Sequence, residues 1–201
     1  MMTITNGYCA LAEIRQLLGY SNALETTSDL LIEKVIEAAS RAIDGWCDRR
    51  FFTTSADETK YYTAKYYNAL FPEEDIVSIT TLKTDEDGDG TFEVTWATTD
   101  YLLLPFNQSY KNIIEIDPEG EHTFPATKQG VQIVGKFGYC AITDRPPEIT
   151  TFCMLLAVRL FKRMSEAPFG VMGFSETGQS TVIPSDDPDA KMLIGKYRRL
   201  I

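Results

Sequence analysis

The chain has 201 residues, 44% of them hydrophobic, which is enough to bury a core without disulfide or metal staples. Lys and Arg total 19 against 29 Asp and Glu, a net charge of 19 minus 29, or -10, and this acidic excess argues against a protein that grips phosphate backbones. An acidic wall would repel DNA and let it slide, so DNA passing by without specific binding fits the charge. The longest apolar stretches, such as residues 152–160, fall short of a membrane span, and residues 1–7 carry neither a basic start nor an apolar signal region. A chain made in a cytoplasm, with no membrane partner, is expected. Cys9, Cys47, Cys140 and Cys153 are scattered, with no C-x-x-C pair and one histidine, His122, to join them, so buried reduced thiols are expected rather than zinc.

In chain order, the first periodic segment is 8–18, where Leu11, Ile14, Leu17 and Leu18 fall at helical spacing and Gly19 stops the run. A second helix is predicted over 28–48. Thr26, Thr27 or Ser28 can cap it, and Ile32, Val35, Ile36, Ala39, Ala42, Ile43 and Trp46 recur at intervals of three and four. From 51 to 139 the chain turns to Thr, Tyr, Val and Ile runs broken by Pro, Gly, Asp and Asn, which predicts a β-rich insertion. Its strands are placed at 59–67, 76–83, 92–96, 101–104, 113–116 and 131–137, with turns at 85–90 and 118–120.

Helical period returns at Pro147, where proline in the first turn costs no hydrogen bond and Glu148 favours the positive end of the helix dipole. A helix is predicted over 147–164, with Ile149, Phe152, Cys153, Leu156, Leu160, Phe161 and Met164 in one stripe. Met154, Leu155 and Val158 widen that stripe almost around the cylinder. Phe152, Leu155, Val158 and Phe161 are therefore candidates for packing in the core or against a neighbouring subunit. From 167 to 201 the chain is rich in Pro, Gly, Ser and Asp and ends in an apolar-basic stretch, so a tail that is mobile until it meets a partner is expected. The class is α+β: a small helical bundle from 1–50 and 140–166, an inserted β domain over 51–139, and a flexible C-terminal tail.

This order of elements resembles the bacteriophage head-tail connector family. The residues that carry the resemblance are Leu11 to Arg15, Leu30 to Ser40, Asp85 to Gly90, Gly135 to Tyr139, Pro146 to Ile149 and the closing Gly195 to Leu200. The resemblance implies a structural virion subunit with no catalytic role, one of a homo-oligomeric ring, twelve-fold as a rule, that joins the portal to a tail or stopper protein and encloses a DNA conduit. It also implies that the helical part forms the ring and that residues 192–201 dock on the portal through Leu193, Tyr197, Arg198 and Arg199, of which Tyr and Arg are favoured where interfaces concentrate binding energy. The place implied is the virion neck, between capsid and tail. A tail-completion or stopper subunit is the alternative within this class, and a calcium- or carbohydrate-binding β module is the alternative outside it.

Asp85, Asp87 and Asp89, followed by Gly90, match the first half of a calcium loop, in which alternate carboxylates converge on one ion. The twelfth position is Trp96 where a bidentate Glu belongs, and Glu93 could supply a late ligand. A solvated β-turn is the competing reading, and no other cofactor is expected. His122 sits in a turn-like stretch without a G-x-S-x-G elbow, which reads as a surface histidine. Glu73-Glu74 and Asp186-Asp187 read as solvated acids rather than a general acid and base, because no nucleotide, metal or nucleophile motif accompanies them. Tyr61-Tyr62 and Tyr66-Tyr67 read as cross-strand packing in preference to stacking on bases or sugars.

Overall fold

Residues 4–20, 28–166, 171–172, 181–182 and 192–199 are described by the computed structural model of the chain. Two compact units form: Met1–Asp48 with Pro146–Ile201, and Arg49–Arg145. The architecture is α+β, with helices in the first unit and antiparallel sheets in the second.

In the helical unit, α1 spans Leu11–Leu17, α2 Asp29–Cys47 and α3 Pro147–Glu166. The first helix starts three residues later than its periodicity suggests, because Tyr8 and Cys9 are buried in a bent strap laid on α2. The N–H groups of Thr5 and Asn6 donate to Glu37 Oε1 at 2.7 and 3.1 Å, and that of Tyr8 donates to Ser40 Oγ at 2.9 Å. The Tyr8 hydroxyl hydrogen-bonds Asp44. Glu13 Oε2 accepts from the Ala10 N–H at 2.7 Å, which is half of a capping box, since alanine has no oxygen to return the bond.

Helix α2 buries Ile32, Val35, Ile36, Ala39, Ile43 and Cys47, at the spacings its sequence shows. Ser28 is the N-cap residue but contributes no side-chain cap; Arg15 reaches Asp29 in the first turn at 3.3 Å. Ala42 and Trp46 fall on the exposed border of the apolar stripe, with the Trp46 ring 5.5 Å from that of Phe152. Asp48 ends the helix with φ 50°, the left-handed conformation that Asp tolerates better than most side chains. Helix α3 buries Ile149, Phe152, Cys153, Ala157 and Phe161. Val171–Met172 pairs antiparallel with Thr181–Val182.

In the second unit, β1 (Glu58–Tyr62), β7 (Val131–Phe137), β3 (Ile76–Thr84) and β4 (Val94–Thr95) lie side by side in that order. A three-stranded sheet runs β2 (Ala69–Leu70), β6 (Ile113–Ile116), β5 (Tyr101–Leu104), and all pairings are antiparallel. Leu70, Ile76, Leu82, Trp96, Tyr101, Ile114, Phe124, Val131, Ile133 and Phe137 form the core of this unit. Along β7, buried and half-buried residues alternate strictly, as a strand with one covered face must. Gly135 lies opposite the register shift of β3, where a Cβ would approach Ser78 O to 2.2 Å, so backbone contact there excludes any larger residue. The first strand stops at Tyr62 instead of reaching 67, because the chain bends through 65–68 into the short β2, which periodicity did not announce. The strand expected at 92–96 shrinks to two residues.

Candidate functional site

The C-terminal segment packs on the helical unit. A helical turn over 192–194 continues into the 3-10 turn Gly195–Tyr197, and Ile194 is buried. Its carbonyl accepts from Cys47 Sγ at 3.8 Å, and the Arg199 N–H donates to Cys47 O at 2.8 Å, satisfying one of the carbonyls that the end of α2 leaves over. Lys196 Nζ lies 2.6 Å from Glu148 Oε1, and the Tyr197 hydroxyl donates to Glu148 Oε2 at 3.0 Å. The hydrogen bond from Lys196, then the backbone and Tyr197, hold the Glu148 carboxyl down at about 2. Of the residues expected to dock, Leu193, Tyr197 and Arg199 are half-buried and Arg198 is exposed. The stretches 167–170, 173–180, 183–191 and 200–201 of the expected tail lie outside the described residues, Asp186 and Asp187 among them.

Glu148 acts as more than a dipole partner, and Ile194 supplies the buried anchor. Sequence reasoning reached neither role, because the contacts join positions 48 and 49 apart in the chain. The run Met192-Leu193-Ile194 was the available signal for an anchor.

Helix α3 separates the four residues that sequence grouped. Phe152 and Phe161 are core residues, whereas Leu155 is 37% exposed and Val158 half-buried. The stripe that seemed continuous around the cylinder is thus a core face and an outer face, the latter also carrying Thr151, Arg159 and Lys162.

The acidic loop of the β unit brings Asp85, Asp87, Asp89 and Glu93 together, with one carboxylate oxygen of each within 4.8 Å of the others. Asp85 is buried, and its oxygens accept from the Gly88 N–H at 2.7 Å and the Gly90 N–H at 2.9 Å. Asp87 and Asp89 accept from the N–H groups of Asp89 and Thr91. Glycines at 88 and 90 take φ of 82° and 89°, which the turn needs and side chains avoid. These four carboxylates are what a hard cation could use. Trp96, at the twelfth position, is a core residue whose indole N–H donates to Thr84 Oγ1 at 3.0 Å.

His122 is not a bare surface histidine. Its ring lies 5.4 Å from Trp96 and its Nε2 3.7 Å from Asp100 Oδ2. Glu74 is bound by Arg50 at 3.2 Å and Lys60 at 2.6 Å, and the same two cations hold Glu58. Burial works against the Glu58 carboxylate, but hydrogen bonds from Arg50 and Thr54 and the nearby positive charges outweigh it and keep its pKa below the ordinary value. Such neutralised carboxylates form structural ion pairs. Tyr62 packs on the core and Tyr61 stacks near Phe92 at 5.6 Å, while Tyr66 and Tyr67 are exposed in the bend, Tyr66 edge-on to Phe71.

No protein-family model and no curated protein sequence matches the chain. Solved structures do match over its whole length. A chain from the neck of an empty gene transfer agent (GTA) particle, computed with C6 symmetry, aligns with TM-score 0.65 and 16% identity, covering 100% of this chain and 94% of that one. The fold is shared with a GTA neck chain. A chain in the virion of the native GTA particle gives TM-score 0.64 at 16% identity, with the same coverage. A chain in the neck of the native particle computed with C12 symmetry gives 0.60 at 15%, again covering 100% and 94%. No helix among the described residues is long and apolar enough to cross a membrane.

Proposed function

We propose that this chain is a structural, non-enzymatic subunit of a virion neck: a head-tail connector that assembles as a cyclic ring between portal and tail and surrounds the DNA path. The full-length likeness to neck chains carries this reading, and the C12 symmetry of one such neck supports a ring of copies. The net charge of -10 suits a wall that DNA slides past. Leu155 and Val158 are apolar side chains on the outer face of α3 that a neighbouring copy could cover.

In this reading residues 192–201 dock on the portal through Leu193, Tyr197, Arg198 and Arg199. Because 192–199 already rest on the helical unit, docking exchanges one set of contacts for another. The ordering cost is thereby smaller than for a segment that starts unfolded. Electron microscopy of the purified chain, with and without portal rings, tests the proposal. Closed rings seated on the portal are expected, and a chain that stays monomeric beside portal overturns it. Deleting residues 192–201 should abolish portal binding while the remaining fold persists; undiminished binding refutes the docking role. A pull-down against portal separates this subunit from a stopper that touches the tail side alone. The proposed activity needs no cofactor, and calorimetric heat with millimolar calcium would add an ion at Asp85, Asp87, Asp89 and Glu93 to it.

A further inference from the structure

We propose that Cys9 and Cys153 form a covalent cross-link site, which closes to a disulfide when the chain meets a hydroperoxide. The two sulfurs stand 3.5 Å apart although 144 positions separate them, and both are buried, Cys9 at 7% exposure and Cys153 at 0%. Closing to a disulfide length of ~2.05 Å shortens the gap by about 1.5 Å, within the reach of side-chain rotation. Ser40 Oγ lies 3.5 Å from Cys153 Sγ, a polar neighbour of the pair. The other two cysteines are directed elsewhere: Cys47 Sγ toward Ile194 O at 3.8 Å and Cys140 Sγ toward Phe51 O at 3.9 Å.

The chemistry balances with a hydroperoxide as oxidant. The Cys9 sulfur, the more accessible, attacks a peroxide oxygen and breaks the O–O bond, giving a sulfenic acid and hydroxide. The Cys153 sulfur then attacks the sulfenic sulfur, forming S–S as S–O breaks and a second hydroxide leaves. The two thiol protons convert both hydroxides to water, so the sulfurs lose two electrons and hydrogen peroxide gains them. The product ties the strap over α2, now held by hydrogen bonds to Glu37 and Ser40, to α3. The chemistry is independent of the neck reading; only its timing rests on it. A virion subunit is made where thiols stay reduced and is released where they oxidise, so the link would close after assembly.

The test treats the purified full chain with hydrogen peroxide at a dose that converts Met192, 73% exposed, to its sulfoxide. Titratable thiols should fall from four to two. A non-reducing digest should yield one linked peptide joining Cys9 and Cys153, dithiothreitol should restore the thiols, and the thermal midpoint should rise by several degrees while the link is present. Under the same treatment a Cys9→Ser chain should keep all its remaining thiols, and a Cys47→Ser, Cys140→Ser double variant should still form the link. A chain with Met192 oxidised and four thiols intact overturns the proposal, as does a link between any other pair or sulfinic acid without a linked peptide. Neither failure touches the ring result, which electron microscopy reads separately.

Discussion

Replacing Arg49 with methionine should destabilise the β unit more than any exposed charge change can. Arg49 Nη1 lies 3.0 Å from Asp75 Oδ2, with side-chain exposures of 8% and 1%, so both charges are out of water. The guanidinium also sits 4.5 Å from the ring centre of Tyr110 and 5.2 Å from that of Tyr139, and these two rings stack at 4.6 Å. Methionine fills much of the arginine volume but takes the guanidinium away from the buried Asp75 carboxylate, a change that costs about 3–5 kcal/mol. Asp75→Leu should cost a similar amount for the converse reason. The double variant should cost less than the sum of the two, with a coupling on the order of 2–3 kcal/mol, because neither buried charge is then left uncompensated. Urea unfolding in a Trp46→Phe background isolates the response, since Trp96 is then the remaining tryptophan and belongs to the β core. Single variants costing under about 1 kcal/mol, the range of exposed pairs, or costs that simply add, would refute the argument.

Asp85→Ala should destabilise the β unit by about 1–3 kcal/mol in the same assay, because the Gly88 and Gly90 N–H groups lose their acceptor. Asp87→Ala, exposed and serving one bond, should cost less. On α3, Phe152→Ala should lower stability by about 3–5 kcal/mol, whereas Leu155→Glu should leave the monomer's urea midpoint nearly unchanged and abolish the proposed ring, with electron microscopy as the readout. The contact of residues 192–199 with the helical unit should weaken in acid. Glu148 titrates at about 2 when folded against an ordinary value of 4.5, so its contribution is complete above pH 4.5 and is lost as pH falls from there toward 2. The protection of the Arg199 amide, bonded to Cys47 O, taken as its exchange rate relative to the intrinsic rate at each pH, should fall across that window, and Glu148→Gln should flatten the dependence.

The amino-acid sequence by itself determined the α+β class, the three helices, and the strands at 101–104, 113–116 and 131–137 to the residue. These are legible because period 3.6 and period 2 are local properties, written in the apolar pattern of each segment whatever it packs against. The acidic turn at 85–90 was legible for the same reason, as its glycines answer a local backbone demand. What needed the tertiary structure involves distance along the chain. Tyr8 and Cys9 leave the predicted helix because Ser40 and Cys153 lie where they can be met, and Phe152 parts from Leu155 because one face of α3 is buried in the core of the helical unit. Ile194 becomes an anchor, and Glu148 the partner of Lys196 and Tyr197, only when the chain's end returns to the start of α3 and the end of α2. Periodicity shows that a side chain is apolar and on which face it falls. Which side chains from far along the chain complete that face is settled when burial and hydrogen bonding are satisfied together.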